Sequence, residues 1–506
     1  MTTAVPTPPR WTAVRGRPGA PGDAADRTWS LVAALVIFLG GALWLAGMAR
    51  VDRPMTSTVV VLPAFLAVGL LLAAATSRLV PGTAVRGILA TGLGLRMVGL
   101  WYRYREAADG LIYHAEGIRI ADAYRRFDFG VDLGRTVPGT GTIRLITGLV
   151  HAVTFDDLLT SYALFTLAAF GGALLFVRAL AVAVPDADLR RYAVLVMVWP
   201  SLALWPSSLG KEAWMVFGLG LASLGVAHFL AGRAARGALY LAAGLAIIGL
   251  VRPHVGLLVV AALAVAGTLR ASSSGRARIG VRLLIAFLAV LGGLLLADAT
   301  AQRFQVDQLG TEEIDATLAN TADKTTTGGA NFDPVRVRSP VDYPLAVITV
   351  LFRPLPSEAS GIEGIATSIE GMALAALLAL SLRRLQEATR RLRQDPYLLY
   401  ALVFVATFCY AFAVIGNFGI LARQRSQVLP FVFVLVALVP PDRRERWQAF
   451  LVRRRERRAD ASARQRARAT DPPAPEPAPV PVGPTRRWAA VEADRPDRSR
   501  PAPDIP

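Results

Sequence analysis

The chain has 506 residues, of which 54% are hydrophobic and 18% charged, with a mean hydropathy of +0.44. These proportions exclude a soluble globular domain of ordinary composition and imply a polytopic membrane protein. The formal charge of +18 and the pI near 10.9 come from arginines gathered between apolar runs and in the C-terminal tail, the pattern of basic cytoplasmic loops and not of a nucleic-acid-binding surface.

Residues 1–28 are rich in Pro, Arg and Gly and have no short apolar core followed by a small-residue cleavage site, so they read as a disordered cytoplasmic tail. Apolar runs then recur near 30–48, 56–75, 84–101, 159–178, 192–208, 213–231, 237–251, 255–269, 282–298, 366–382, 398–415 and 426–440. Against a hydrocarbon core about 30 Å thick they predict an all-α polytopic transmembrane bundle of about twelve helices. Two further stretches, 142–154 and 343–352, are too short or interrupted to span and predict short interfacial or re-entrant helices. The single cysteine, Cys409, lies inside an apolar run, which excludes an intrachain disulfide framework and a cysteine metal site.

Arginine placement orients the bundle, because short cytoplasmic loops retain positive charge. With the N-terminus inside, Arg78, Arg178, Arg190, Arg191, Arg233, Arg236, Arg270 and the run from Arg383 to Arg393 all fall on the cytoplasmic side. The transmembrane domain then covers 29–441, with large outer loops at 102–158 and 299–365. Residues 206–212, 252–254 and 417–427 also face outward. The tail 442–506 starts Arg/Glu-rich and becomes Pro/Ala-rich, a composition that predicts a largely disordered cytoplasmic segment.

The chemistry-bearing motifs lie in the outward set. In Asp109-Gly110-Leu111-Ile112-Tyr113-His114-Ala115-Glu116, a helix would place Asp109, Tyr113 and Glu116 on one face with His114 beside them. Such a set suits a general base, a divalent cation or sugar hydroxyls, and equally an amphipathic helix at the membrane surface. His151, in an apolar context, reads as a structural histidine. Trp205-Pro206-Ser207-Ser208-Leu209-Gly210-Lys211-Glu212 is a polar knot between two apolar runs. Lys211 stands out there, because the chain writes nearly all its positive charge as arginine. It is not a P-loop: Glu212 stands where Ser or Thr is needed and Trp205 where the first Gly is needed. Its helix start offers exposed N–H groups, the usual setting for an anion.

Arg252-Pro253-His254 joins two apolar runs of near-minimal length, which holds an arginine and a histidine at membrane depth, where charge is costly unless it faces a polar cavity. Arg353 precedes Pro354 and repeats that arrangement at the end of the second large loop. Asn417 to Gln427 contains Arg423 and Arg425 on the side opposite the basic loops, suited to bidentate recognition of phosphate or carboxylate.

Together the stretch from Asp109 to Glu116, the Pro-Ser-Ser-Leu-Gly-Lys-Glu run, Arg-Pro-His and Asn-Phe-Gly-Ile-Leu-Ala-Arg-Gln-Arg resemble the polytopic glycosyltransferases and oligosaccharide repeat-unit polymerases of bacterial envelopes, over roughly residues 85–440. The resemblance implies a GT-C-like fold and a polyprenyl-diphosphate-linked saccharide donor used in the cell membrane at its outer face. Asp109 or Glu116 would supply the acidic residue of the first outer loop. Arg252, Arg423 and Arg425 would hold the diphosphate as the outward arginines of the polymerases do. Two or three helices precede the acidic loop where the GT-C pattern has one, which favours the polymerase type.

The expected site is therefore Asp109, Glu116 and His254 in catalysis, with Tyr113, His114, Lys211, Glu212, Arg252, Arg353, Asn417, Arg423 and Arg425 binding substrate. The expected partners are the lipid-linked saccharide, membrane lipid and envelope-assembly proteins, and no nucleic acid. No motif requires a cofactor, and Mg²⁺ or Mn²⁺ on a few carboxylates remains open. The alternative is a transporter or flippase of lipid-linked saccharides, for which internal repeats and midplane polar residues would be the mark. No clear repeat occurs.

Overall fold

The computed structural model describes residues 21–48, 55–80, 85–106, 108–269 and 330–440, with scattered positions between 445 and 456. The expected span 282–298, the Thr-rich part of the large loop at 321–329 and the Pro/Ala-rich end of the tail lie outside the described residues. Two units are distinguished, the first ending at Arg444. In the second, the described positions are helical and the rings of Trp447 and Phe450 stack with centroids 5.4 Å apart.

Among the described residues the regular structure of the first unit is helical, apart from an isolated antiparallel bridge between Asn331 and Asn417. The helices are α1 (Pro21–Met48), α2 (Met55–Leu79), α3 (Arg86–Glu106), α4 (Ala108–Arg125), α5 (Thr140–Val153), α6 (Leu158–Ala183), α7 (Leu189–Val198) and α8 (Pro200–Leu204). They continue as α9 (Lys211–Leu230), α10 (Ala234–Val251), α11 (Pro253–Leu269), α12 (Tyr343–Phe352), α13 (Gly361–Leu380), α14 (Leu382–Arg391), α15 (Pro396–Phe412) and α16 (Phe418–Val436). Six of the described helices are long and apolar enough to cross a membrane, or seven if α14 and α15, bent by 113°, are one span. The protein is a helical membrane bundle.

Several boundaries differ from the sequence reading for identifiable reasons. Helix α1 begins at Pro21, inside the segment expected to be tail, with proline at a helix start where its missing N–H costs nothing. The run 192–208 is broken at Trp199–Pro200 into α7 and α8, because Pro200 cannot continue the helix before it. Residues 418–427, expected as an outer loop, form the first half of α16. Their helix starts where the Asn417 side chain accepts the Ile420 N–H at 3.1 Å.

The break at Pro200 leaves backbone groups that buried side chains satisfy. Arg96 of α3, fully buried, donates to the carbonyls of Met197 at 3.3 Å and Leu202 at 3.2 Å. Glu370 of α13, also buried, accepts the Ser201 N–H at 3.1 Å and the Ser201 hydroxyl. An unsatisfied polar group in hydrocarbon costs several kcal/mol, so these two side chains are what make the kink tolerable.

Close helix packing rests on glycine where two backbones meet. A Cβ on Gly172 of α6 would run into the Val216 backbone of α9, and one on Gly244 of α10 into the Ala222 backbone of α9. Small residues at such crossings are the usual device of membrane bundles, which gain little from apolar burial and rely on contact.

Helix ends gather into two groups. At one end Arg384 pairs with Asp188 at 3.1 Å and donates to the Leu438 carbonyl at 2.8 Å, while Arg391 pairs with Asp186 at 3.0 Å and with Asp395. The other end holds the C-termini of α3 and α10 and the N-termini of α4, α9 and α16.

Candidate functional site

The Trp205–Glu212 knot follows from its sequence. Helix α8 ends at Leu204, and the Ser207 and Ser208 hydroxyls turn back onto the carbonyls of Ala203 and Trp205 at 2.6 and 2.9 Å. Residues 205–210 are thereby buried without being helical. Gly210 then caps α9, and Lys211 and Glu212 form its first turn. A carboxylate there is favoured by the positive end of the helix dipole.

Glu212 meets Arg252, the C-cap residue of α10, at 3.0 Å, with the two side chains 14% and 13% exposed. Arg252 is therefore paired within the protein through one of its nitrogens, while Nη1 is buried and has no hydrogen-bond partner among the described residues. Pro253 starts α11 immediately afterwards and His254 lies 5.9 Å, ring to ring, from Phe412 of α15.

Beside this pair stands the Trp205 indole. The guanidinium of Arg103, near the end of α3, lies 5.0 Å from its ring centre, and that of Arg423 from α16 lies 5.4 Å away. Each such contact contributes about 0.5–2 kcal/mol depending on desolvation, and one ring holds two like charges in the same neighbourhood. Arg423 also reaches Asp109 of α4 at 3.9 Å. That pair is 38% and 68% exposed, and pairs of this kind contribute less than about 1 kcal/mol. It is an open contact that a stronger anion can displace, whereas Glu212–Arg252 is a closed one.

Tyr113, one turn along α4 from Asp109, is buried, and burial raises its pKa. The charges it feels include Asp109, Glu212, Arg144 and Arg252. The structure thus brings together Asp109, Tyr113, Glu212, Arg252 and Arg423, with Lys211 next to Glu212 on the same helix turn.

Other expected residues are placed elsewhere. Glu116 is half-buried and pairs with Arg119 at 2.7 Å along its own helix. Arg425 is buried, with Nε donating to the Val350 carbonyl at 3.0 Å and Nη2 to the Arg353 carbonyl. It pins the C-terminal end of α12, so the outward-facing orientation expected for it is corrected: two residues along a helix from Arg423, its side chain points into the bundle. Arg353 is held by Glu358, Nη2 to Oε1 at 2.5 Å and Nε to Oε1 and Oε2 at 3.0 Å, and lies 4.2 Å from the Phe332 ring. Asn417 caps α16 and donates to the Asn331 side chain at 3.3 Å. His114 faces His151 of α5.

Arg103 was missed by sequence reading, although it sits in Trp101-Tyr102-Arg103-Tyr104-Arg105, an aromatic and basic cluster at a helix end. So was Glu363, which accepts the Tyr102 hydroxyl at 2.9 Å and adds its charge to those around Arg103. Arg103, Arg144, Arg252 and Arg423 therefore stand against Asp109, Glu212 and Glu363, an excess of positive charge at one end of the bundle. Among the described residues no three His, Cys, Asp or Glu side chains form a group able to hold a metal ion.

Comparison with known protein families, curated proteins and solved structures finds no match to this chain. What fold and site define is a helical membrane protein with fixed arginines and an exposed carboxylate meeting at one bundle end. Chemically, such a site attracts an anion and presents a base beside it.

Proposed function

We propose that the chain is a membrane glycosyltransferase or polysaccharide polymerase acting on a polyprenyl-diphosphate-linked saccharide at the outer face. The observation that carries this reading is Arg423, held by Trp205 and by an exposed carboxylate it can exchange, beside Arg103 and the Glu212–Arg252 pair. Departure of a diphosphate concentrates negative charge on the leaving oxygen. Preorganised guanidiniums stabilise that state more than the ground state. Arg103 and Arg423 fill the diphosphate role here, with Arg252 set behind them against Glu212, and Asp109 is the carboxylate released toward the acceptor when phosphate takes Arg423.

The reading includes about twelve crossings, by the rule of about 20 apolar residues per span. It places both termini in the cytoplasm and the Arg423 end of the bundle outside. Support for the orientation comes from the opposite end, which carries Arg178, Arg233, Arg384 and Arg391 as a cytoplasmic face does.

The test uses purified full-length protein in lipid nanodiscs with a radiolabelled polyprenyl-diphosphate oligosaccharide. Elongated product, lost in Arg423→Gln and Arg103→Gln, is the expected result. Wild-type turnover in both variants, or movement of the lipid-linked saccharide across a vesicle membrane without any new glycosidic bond, would overturn it.

A further inference from the structure

The C-terminal ends of α4 and α5 carry apolar side chains left uncovered by the described residues. Phe127 is 84% exposed, Phe129 66%, Val153 73% and Phe155 51%. An exposed apolar group of this size marks a contact with lipid or with another protein.

Helix packing and one arginine bring the four side chains to the same place. Helices α4 and α5 touch because Gly117 and Gly148 lack side chains: a Cβ on the first would run into Thr147 and one on the second into Ile120. With that face of α5 turned to α4, Val153 stands on the side opposite the buried His151, two residues before it. Arg125, in the last turn of α4, donates to the His151 carbonyl at 2.7 Å and to Asp156 at 2.6 Å, and His151 Nδ1 lies 3.0 Å from the Phe155 carbonyl. The end of α4 is thereby tied to the turn after α5, which sets Phe127 and Phe129 at the same end as Val153 and Phe155.

Phe127 holds a position that usually falls to glycine. The Asp128 N–H bonds to the Ala123 carbonyl at 3.0 Å and the Phe127 N–H to the Tyr124 carbonyl at 2.9 Å, the pair of bonds that closes a helix through a left-handed residue, and Phe127 has a φ of +60°. A bulky side chain is disfavoured there, and this one is presented outward. Phe129 follows on the same tip, its ring 5.3 Å from that of Tyr124.

Helix α6 sets the height of this end. It starts at Leu158, just after Phe155, where the Asp157 side chain accepts the Thr160 N–H at 3.0 Å, and its Ser161 hydroxyl is 3.3 Å from His151 Nε2. Helix α6 is apolar over 26 residues, long enough to cross the membrane. At 1.5 Å per residue it measures about 39 Å, about 9 Å more than the hydrocarbon core. A centred helix then carries its first residue about 5 Å beyond the core, inside the head-group layer.

Charge does not draw this end to the bilayer. Arg119 pairs with Glu116, and Arg125 with Asp122 and Asp156. Residues 116–132 hold three arginines against four acidic residues, without the basic excess that anionic head groups attract.

We propose that Phe127, Phe129, Val153 and Phe155 form a foot that enters the lipid leaflet around the start of α6. The occupant is the boundary between head groups and acyl chains, entered by about 5–10 Å as amphipathic helices enter it. Through α4 the foot seats the helix that carries Asp109 and Tyr113 on the membrane, whichever reaction the bundle end performs.

The test uses the full-length protein in lipid nanodiscs. Phe127→Cys, Phe129→Cys, Val153→Cys and Phe155→Cys, each in a Cys409→Ala chain that lacks the single native cysteine, carry a nitroxide. The four labels should collide with oxygen more than with a water-soluble nickel complex, at a depth of about 5–10 Å on a ruler of spin-labelled lipids. The depth should be the same in zwitterionic and anionic lipid. Nickel-dominated collision would place the foot in water and overturn the proposal. So would protection from both reagents or dipolar broadening between chains, which put a partner protein or a second copy over these residues, and so would a depth reached in anionic lipid alone. The unmodified chain answers even where a labelled one fails to fold: a phospholipid with a diazirine near its glycerol should crosslink within 127–129 and 153–155, and absence of crosslinks there would equally overturn the foot.

Discussion

Glu212 and Arg252 meet at 3.0 Å with 14% and 13% of their side chains exposed, tying the first turn of α9 to the C-cap residue of α10. Breaking one side of such a pair strands a buried charge. Arg252→Gln or Glu212→Gln should therefore lower stability by about 3–5 kcal/mol. The double variant should recover part of that loss. Thermal unfolding of the purified proteins in detergent gives the comparison, and additive losses in the double variant would mean that the two charges act independently.

Asp109 and Arg423 behave oppositely. Their contact is long and exposed, so Asp109→Asn should change unfolding by no more than about 0.5 kcal/mol. If Asp109 is the carboxylate facing the acceptor, transfer should nonetheless fall by two orders of magnitude, the range of a lost general base. Equal effects on stability and turnover would place Asp109 among structural residues.

Arg425→Met removes both donors from the carbonyls of Val350 and Arg353 while keeping the apolar stem. Each buried carbonyl left unpaired costs about 1–3 kcal/mol. Hydrogen exchange should rise across the end of α12 and the following turn, residues 350–358, before it rises elsewhere. An unchanged exchange pattern there would contradict the pin.

Glu358 is held below the ordinary carboxylate value by its hydrogen bond from Arg353, with a further one from the Leu355 N–H. A depressed folded pKa means that the unfolded chain binds the proton first as pH falls. The stabilisation is fully present above the ordinary value near 4.5 and is lost as pH drops from there through the lower folded value. Melting temperatures measured from pH 6 to 3 should fall more steeply for the wild type than for Glu358→Gln, and parallel curves would remove this contribution.

Much of the bundle was legible because long apolar runs leave few alternatives in a membrane. The short helices over 142–154 and 343–352 were legible for the same reason, as apolar stretches below spanning length. Asp109 is legible as an acidic residue of the first outer loop, Glu212 and Arg252 as charges at run ends, and the structure brings the three into one neighbourhood. The charges of Arg423 and Arg425 dilute the apolar pattern and give 417–427 the look of a loop, although Asn417 supplies a helix-start signal. Their opposite directions are a matter of helical phase, which a stretch taken for loop does not reveal. Arg96 and Glu370 lie inside the apolar runs 84–101 and 366–382, where hydropathy alone hides them. Isolated charges in such runs are the signal that marks a polar job within the membrane.

The break at Trp199–Pro200 bears on how the chain is assembled. The Ser201 N–H is satisfied by Glu370, 169 residues later in the sequence, while Arg96 arrives before it. During synthesis Arg96, which serves the Met197 and Leu202 carbonyls, is therefore already made when the kinked span emerges, whereas the Ser201 N–H gains its partner only once α13 has followed.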